Sequence, residues 1–373
     1  YNPDQALGIA MNPKTGEILA IASRPDFNPS EYQNYTVEEI NRNLPVWMTY
    51  EPGSTFKIIT LSAALEEKLI DLDKDTFYDG GSVNVENARI KCWKHGGHGA
   101  QTYLQVVENS CNPGFVSIGQ KLGKEKLFEY INAFGFGEKT GVDLNGEASG
   151  ILFKLDKVGP VELATTSFGQ GVSVTPIQQI TAVSAAINGG TLIKPYIVKS
   201  LNEPETNTVI KSFESEIKRK VISEDTSEKV RYALESVVTN GTGRNAFIDG
   251  YRVGGKTGTA QKVKDGRYMV GNYIVSFIGF MPANDPEIVV YIAVDNAKGI
   301  TQYGGTIAAP IARTILQESI DILNIEKPVG ASEKKYNYLD RKYATVPDVT
   351  NMTLKEAIQN LKGFKVEYTG TGS

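Results

Sequence analysis

The strongest constraint on this chain is where its strand-like runs fall. Residues 5 to 12 and 17 to 23 read as a hairpin turned by Asn12-Pro13-Lys14-Thr15-Gly16. The other strands come only near the far end: Val253 to Gln261, Tyr273 to Met281 and Ile288 to Val294. Between them the apolar spacing is helical, at about 54 to 68, 103 to 109, 113 to 122, 175 to 188 and Ser227 to Thr239, the last closed by Gly241. A helix from Ile307 to Ile322 follows the last strand. Strands at both ends with helices between predict one sheet built from both termini, an α+β layering. With 373 residues the prior is about two domains. Apolar residues make up 40%, enough for a substantial core.

Three short motifs carry chemistry, and each occurs more than once. Ser-x-x-Lys is found at Ser54/Lys57, Ser215/Lys218 and Ser332/Lys335. Ser54 follows Glu51-Pro-Gly and opens the apolar run Phe56 to Leu65, so it belongs to the first turn of a buried helix. Ser and Lys three apart then share a helix face, where the amine can reach the hydroxyl. Ser215 lies in Glu-Ser-Glu-Ile-Lys-Arg-Lys, a solvated face, and Ser332 in a polar linker. Ser-x-Asn occurs at Ser82, Ser110 and Ser200, but only Ser110-Cys111-Asn112 falls between two helical stretches. Lys-Thr-Gly occurs at Lys14, Lys139 and Lys256. The first reads as the hairpin turn and the second as part of a Gly-rich loop. Gly254-Gly255-Lys256-Thr257-Gly258-Thr259-Ala260 suits an edge strand approached closely by a ligand or another backbone.

Ser54/Lys57, Ser110/Asn112 and Lys256-Thr257-Gly258, in that order, match the S-x-x-K, S-D-N and K-T-G set of serine β-lactamases and penicillin-binding proteins, with Cys111 in place of the Asp. Glu51-Pro-Gly-Ser-Thr-Phe-Lys57, Asn109-Ser-Cys-Asn-Pro-Gly-Phe115, Phe168-Gly-Gln-Gly-Val172 with Thr175-Pro176, and Gly255-Lys-Thr-Gly-Thr-Ala-Gln261 extend the match. Over about residues 1 to 325 the chain resembles the class B penicillin-binding proteins, the D,D-transpeptidases that cross-link peptidoglycan. The resemblance implies the penicillin-binding protein/serine β-lactamase-like fold, a five-stranded antiparallel sheet flanked by helices, with a helical subdomain and the active site at the junction.

It also implies roles. Ser54 is the nucleophile and Lys57, if neutral, its base; burial and the second cation, Lys256, both favour the neutral amine. Ser110 relays a proton between the lysines and the leaving amine, and Asn112 holds the substrate's amide backbone. Lys256 and Thr257 face the terminal carboxylate of a D-Ala-D-Ala stem. The N–H groups of Ser54 and Thr259 form the oxyanion hole, and Gly258 keeps the strand clear for the acyl group. A Ser-His-Asp set is excluded, because the only histidines are His95 and His98 in a Gly-rich neighbourhood. Glu162 lies where class A β-lactamases carry Glu-x-x-Leu-Asn, but the Leu-Asn is missing, which argues against efficient deacylation.

Cys92-Trp-Lys-His95-Gly-Gly-His98 holds both histidines and one of the two cysteines. Thiolate and imidazole at such spacing can share a Zn²⁺. The preceding stretch reads as a hairpin centred near residues 85 and 86, which sets Asp79 across from Cys92 as a fourth ligand. A structural zinc on Cys92, His95, His98 and Asp79 is one reading. A Gly-rich loop with a packed Cys is another, and a Cys92–Cys111 disulfide is a third. Sporulation-type relatives carry a Cys-Trp-Lys-x-Gly-Gly-His-Gly stretch here, which places the chain nearest that type.

From Glu326 the composition shifts. Residues 326 to 343 read as a linker, and 344 to 373, with Val346-Pro-Asp-Val349, a helix Leu354 to Leu361 and a strand Phe364 to Tyr368, resemble the start of a PASTA module that stops early. The net charge of −4 and the lack of a polybasic run argue against nucleic acid as a partner. No stretch of about 18 apolar residues is present, and the chain opens at Tyr1 without a signal peptide, so an ectodomain is expected. Class B relatives carry an N-terminal anchor and pedestal, which implies the extracytoplasmic face of a bacterial membrane. The expected partners are D-Ala-D-Ala stem peptides, β-lactams and a membrane glycosyltransferase. The alternatives are a D,D-carboxypeptidase, a division-type transpeptidase, and a β-lactam sensor that acylates without turnover.

Overall fold

The computed structural model describes residues 1–264, 266–328, 347–350, 352–361, 366 and 369. The chain divides into two compact units, Tyr1–Glu333 and Lys334–Ser373.

The first unit is built on the sheet expected from both termini. Its strands are β1 (Gln5–Met11), β2 (Ile18–Arg24), β3 (Gly254–Lys264), β4 (Arg267–Met281) and β5 (Ile288–Asp295). They lie in the order β3-β4-β5-β1-β2, and every neighbouring pair is antiparallel. β5 is central and buried along its whole length, which is why it reads as an unbroken apolar run. Its side chains divide by period two. Val290, Ile292 and Val294 join the cluster that includes Ile307, Ala308, Ala312 and Leu316 of helix α6 (Gly304–Leu323). Val289, Tyr291 and Ala293 join the larger cluster under the helical part. One sheet thus serves two cores, and β2, at the edge, keeps only half-buried and exposed residues.

The helical part consists mainly of α1 (Lys57–Glu66), α2 (Tyr103–Glu108), α3 (Asn112–Ala133), α4 (Pro176–Ile187) and α5 (Glu224–Thr239). α1 is buried from Lys57 to Leu65, as an apolar-all-round helix must be. The stretch expected to end at 122 runs on to Ala133. The break is nevertheless at Gly123, whose φ of 72° no helix accommodates, so α3 is two helices joined at a kink. The strands at 254 and 267 extend beyond the sequence reading into a longer hairpin, with a bulge between Gln261 and Val263. Polar, exposed positions on this arm hid its strand period.

The motif copies set aside from sequence have structural duties. Gly16 of Lys14-Thr15-Gly16 sits at φ 82° in the hairpin turn. Thr140 N (2.6 Å) and Gly141 N (3.1 Å) of the second copy donate to the buried Glu147 carboxylate. Ser215 and Lys218 are exposed.

In the second unit, the described residues hold a helix, Leu354–Asn360, with a capping box between Thr353 and Glu356. The strand Phe364 to Tyr368 lies largely outside the described residues, as do the linker from 329 onward and most of the stretch that resembles a PASTA module.

Candidate active site and a second polar cluster

A short 3-10 turn, Gly53–Thr55, presents Ser54 and leads directly into α1. The turn is clamped on two sides. Gly53 N donates to Gly169 O (3.0 Å), in the Phe168-Gly-Gln-Gly-Val172 loop. A Cβ on Gly53 would stand 3.2 Å from both Ala260 Cβ and Thr259 O of β3. Ser54 is therefore held beside the Lys256-Thr257-Gly258 strand. Gly258 is needed for the same closeness, since a Cβ there would meet Ser276 Oγ at 2.3 Å.

Ser110 enters from the other side, between α2 and α3. It is a non-Gly residue at φ 51°, a backbone conformation that costs about 1 kcal/mol or more and is tolerated where surroundings enforce it. Lys57 Nζ donates to Ser110 O (2.8 Å), Ser110 Oγ (3.2 Å) and Asn112 Oδ1 (2.7 Å). Lys256 Nζ reaches the same Ser110 Oγ at 2.8 Å. Two lysines, 1% and 0% exposed, thus share one hydroxyl, with no carboxylate within ion-pair distance of either among the described residues. Burial pushes Lys57 down to about 7. Burial, then the charge of Lys57, pushes Lys256 well below its ordinary value. Among the described residues none of Lys57's bonds is to Ser54 Oγ, so the expected Ser–Lys contact is not made in this arrangement. Catalytic hydrogen bonds often tighten only with substrate.

Lys256 is also turned inward, towards Ser110, so it offers an incoming carboxylate its field more than a direct contact. The hydroxyls at the strand surface belong to Thr257 and its partner Thr242, 3.1 Å apart. Thr242 was not singled out from sequence; Gly241-Thr-Gly243 looks like a helix stop and nothing more. Glu162 Oε2 accepts from Gly159 N (3.0 Å), capping the Pro160–Thr166 helix, and is occupied there.

The second cluster is real but differs in membership. Asp79, Cys92, His98 and Cys111 bring one donor atom each to within 4.8 Å of one another. His95 is exposed and stands outside the cluster, which corrects the sequence expectation. In its place comes Cys111, the middle residue of the Ser-x-Asn motif. Asp79 belongs, but not because it faces Cys92 across a hairpin. The tight hairpin is Ser82–Val85 with Ala88–Lys91, which puts Gly81 opposite Cys92, whereas Asp79 pairs with Gly99 in a separate ladder. Its Oδ2 accepts from His98 N (3.0 Å) and lies 2.9 Å from His98 Nδ1 and 3.3 Å from Cys111 Sγ. Burial would raise this carboxyl, but donors from Cys92, His98, Gly81 and Cys111 outweigh it and hold Asp79 at about 2. Both cysteines are free thiols, so the disulfide reading does not describe this state.

The two sites are strapped together. Trp93 Nε1 donates to Asn109 O (2.7 Å), and Asn112 Nδ2 to Lys91 O (3.4 Å). The Lys91–His98 loop therefore holds both flanks of Ser110.

This fold and this arrangement define a class, and the comparisons agree. Residues 6–317 match the penicillin-binding protein transpeptidase domain, and the chain belongs to that family. It is 60% identical over all 373 residues to stage V sporulation protein D of Bacillus subtilis, and 33% identical over 90% of its length to a peptidoglycan D,D-transpeptidase FtsI homolog of Mesostigma viride. The chain spans 58% and 60% of those relatives' own lengths. Penicillin-binding protein 3 of Mycobacterium tuberculosis, solved in complex with ampicillin, superposes with a TM-score of 0.80 at 29% identity, over 89% of this chain and 75% of that one.

Proposed function

We propose that this chain is the catalytic part of a serine D,D-transpeptidase that cross-links peptidoglycan stem peptides through an acyl-enzyme on Ser54, and that β-lactams trap it there. The observation that carries this reading is the pair of buried lysines sharing Ser110 Oγ beside the Ser54 turn. With Lys57 neutral, Ser54 Oγ attacks the carbonyl of the D-Ala-D-Ala amide and its proton passes to Lys57 Nζ. The N–H groups of Ser54 and Thr259 receive the oxyanion. Ser110 Oγ hands a proton to the departing amine, and free D-Ala leaves. An amine of a second stem peptide then attacks the ester, its proton returns through the same groups to Ser54 Oγ, and the new amide is released. Asn112 orients the donor's amide, and Thr257 and Thr242 meet its carboxylate in the field of Lys256.

The 60% identity to a sporulation protein, carried through the whole chain, supports a sporulation role. The family supports a place on the extracytoplasmic face of the membrane beside a membrane glycosyltransferase. Among the described residues no helix is long and apolar enough to cross a membrane. We read residues 344 to 373 as the start of a PASTA module, on the Val346-Pro-Asp-Val349 opening and the helix that follows.

Asp79, Cys92, His98 and Cys111 fit a single Zn²⁺. One carboxylate and two thiols crowd one imidazole in a pocket where Asp79 is 1% exposed. A bound cation would take the place of the thiol protons and be held by the thiolates and the carboxylate together. Four protein donors leave no open position, so the ion would fix the loop and not act on substrate.

The test of the activity is intact mass after incubation with benzylpenicillin, then thioester turnover with and without an amine acceptor. An adduct of one penicillin that Ser54→Ala abolishes, followed by transfer to the amine, is expected. Hydrolysis unaffected by amine would make the chain a carboxypeptidase, and acylation with no turnover of any donor would make it a sensor.

A further inference from the structure

Glu51 stands three residues before the nucleophile, at the start of the turn that carries it. Its carboxylate accepts from Gly171 N (2.8 Å) and from the hydroxyl of Tyr268 (3.1 Å and 3.2 Å). Both donors are neutral. Among the described residues no Lys or Arg lies within ion-pair distance of it, although the group is half-buried. Lys262 of β3 is paired with Asp295 at 2.8 Å. Burial raises the carboxyl against its two donors, so an arriving cation would be stabilised more here than at an exposed acid.

Its place along β3 says what would bring that cation. Resting on the function proposed above, the donor lies antiparallel to β3 with its terminal carboxylate at Thr257 and its reacting carbonyl at Thr259. Each residue further upstream moves about 3.3 Å along the strand, towards Gln261 and Val263. Tyr268 pairs with Val263, and Gly53 of the Ser54 turn packs on Ala260. Glu51, tied to Tyr268 and two residues before Gly53, therefore sits at the upstream end of the cleft.

We infer that Glu51 is a specificity residue: its carboxylate binds the side-chain ammonium of a diamino acid immediately upstream of the D-Ala that acylates Ser54.

Two synthetic donors test this, each an N-acyl-Xaa-D-Ala thioester of thioglycolate with Xaa either Lys or norleucine, differing only in the ammonium. Thiol release is followed without any amine acceptor, which isolates donor recognition. The intact enzyme should prefer the Lys donor by about tenfold in kcat/KM, the scale of one partly desolvated charge pair. Glu51→Gln keeps both hydrogen-bond acceptances, and in it the preference should fall to near one while the norleucine donor is unchanged. An equal loss for both donors would reduce Glu51 to a clamp and overturn the inference. So would a preference that Gln preserves, or one seen only with an amine acceptor present. Acylation by ampicillin and by benzylpenicillin, which differ by one ammonium on the side chain, gives a readout that does not need donor turnover. If thioesters are not turned over at all while penicillins acylate Ser54, the transpeptidase reading fails; an ampicillin-to-benzylpenicillin ratio unaltered by Glu51→Gln sinks this one.

Discussion

The molecule has two buried polar clusters side by side, and they are opposite in kind. Around Ser110 two lysines are buried with no carboxylate within ion-pair distance among the described residues. Around Asp79 a carboxylate and two thiols are buried with one imidazole. The boundary runs through three consecutive residues. Ser110 and Asn112 turn to the lysines, and Cys111 turns to Asp79. The left-handed backbone of Ser110 helps the chain aim neighbouring side chains into different sites. A cation-rich site depresses amine pKa values and so makes bases. A site of one carboxylate, two thiols and an imidazole offers metal ligands once its thiols lose their protons, and so suits a metal. The comparison therefore assigns chemistry to the first cluster and support to the second.

The largest expected effects break the first cluster. Ser54→Ala should abolish the penicillin adduct outright. Lys57→Ala should slow acylation by about 10²–10⁴, the usual contribution of one general base, with the fold intact. Lys218→Ala, on an exposed strand, is the control and should change nothing. Acylation measured against pH should rise through about 7, because burial lowers Lys57 to that value and the neutral amine is the base. The same depression has a sign for stability: between about 7 and the ordinary 10.5 the unfolded chain binds the extra proton, so this group's contribution rises with pH across that window. A flat acylation profile from pH 6 to 9 would show that Lys57 is not the base.

Next come changes to the second cluster, which test whether it is support. Protein purified without a His-tag should carry one zinc per chain. His98→Ala and Cys111→Ser should lose it, with melting lowered on the order of 5–10 °C, the scale of losing a tight structural ligand. Acylation should slow alongside, since the loop holds Asn109 and Asn112. His95→Ala should keep the zinc. Sub-stoichiometric metal, with no chelator effect on melting, leaves a hydrogen-bonded Asp–Cys–His network in its place.

How far each cluster was legible follows from how it is assembled. The catalytic residues sit in motifs of three to seven residues whose flanks, a Pro-Gly turn or paired glycines, betray their elements. The sheet was legible because β1, β4 and β5 carry apolar runs that only a buried strand explains. The second cluster draws its donors from three separate segments, so spacing within Cys92 to His98 found His98 but also admitted His95, and it could not find Cys111. Which histidine turns inward is set by the Asp79–Gly99 ladder, with Gly97 packed so tightly that a Cβ would stand 2.3 Å from Asp79 O. Cys111 was seen as a departure from the family pattern, yet its partner lies 32 residues earlier, beyond any local period. Thr242 and the bond from Tyr268 to Glu51 are likewise contacts of tertiary folding alone.

The smallest effect concerns where the catalytic unit ends. Residues 344 to 373 supply none of the groups in either cluster, so removing them should leave β-lactam acylation at the full rate. The sequence reading ends the catalytic part at about residue 325, just past α6. Asn324 ends α6 in a left-handed cap, and the next residue, Ile325, is 5% exposed and joins the core cluster on the α6 face of the sheet. A chain ending at Pro328 should therefore acylate and melt like the full chain. One ending at Asn324 should acylate at the same rate but lose about 1.5–3 kcal/mol, the worth of one buried Ile. Equal melting of the two truncations would show that Ile325 adds nothing. A fall in acylation rate for the chain ending at Pro328 would mean that the tail acts on one of the two clusters after all.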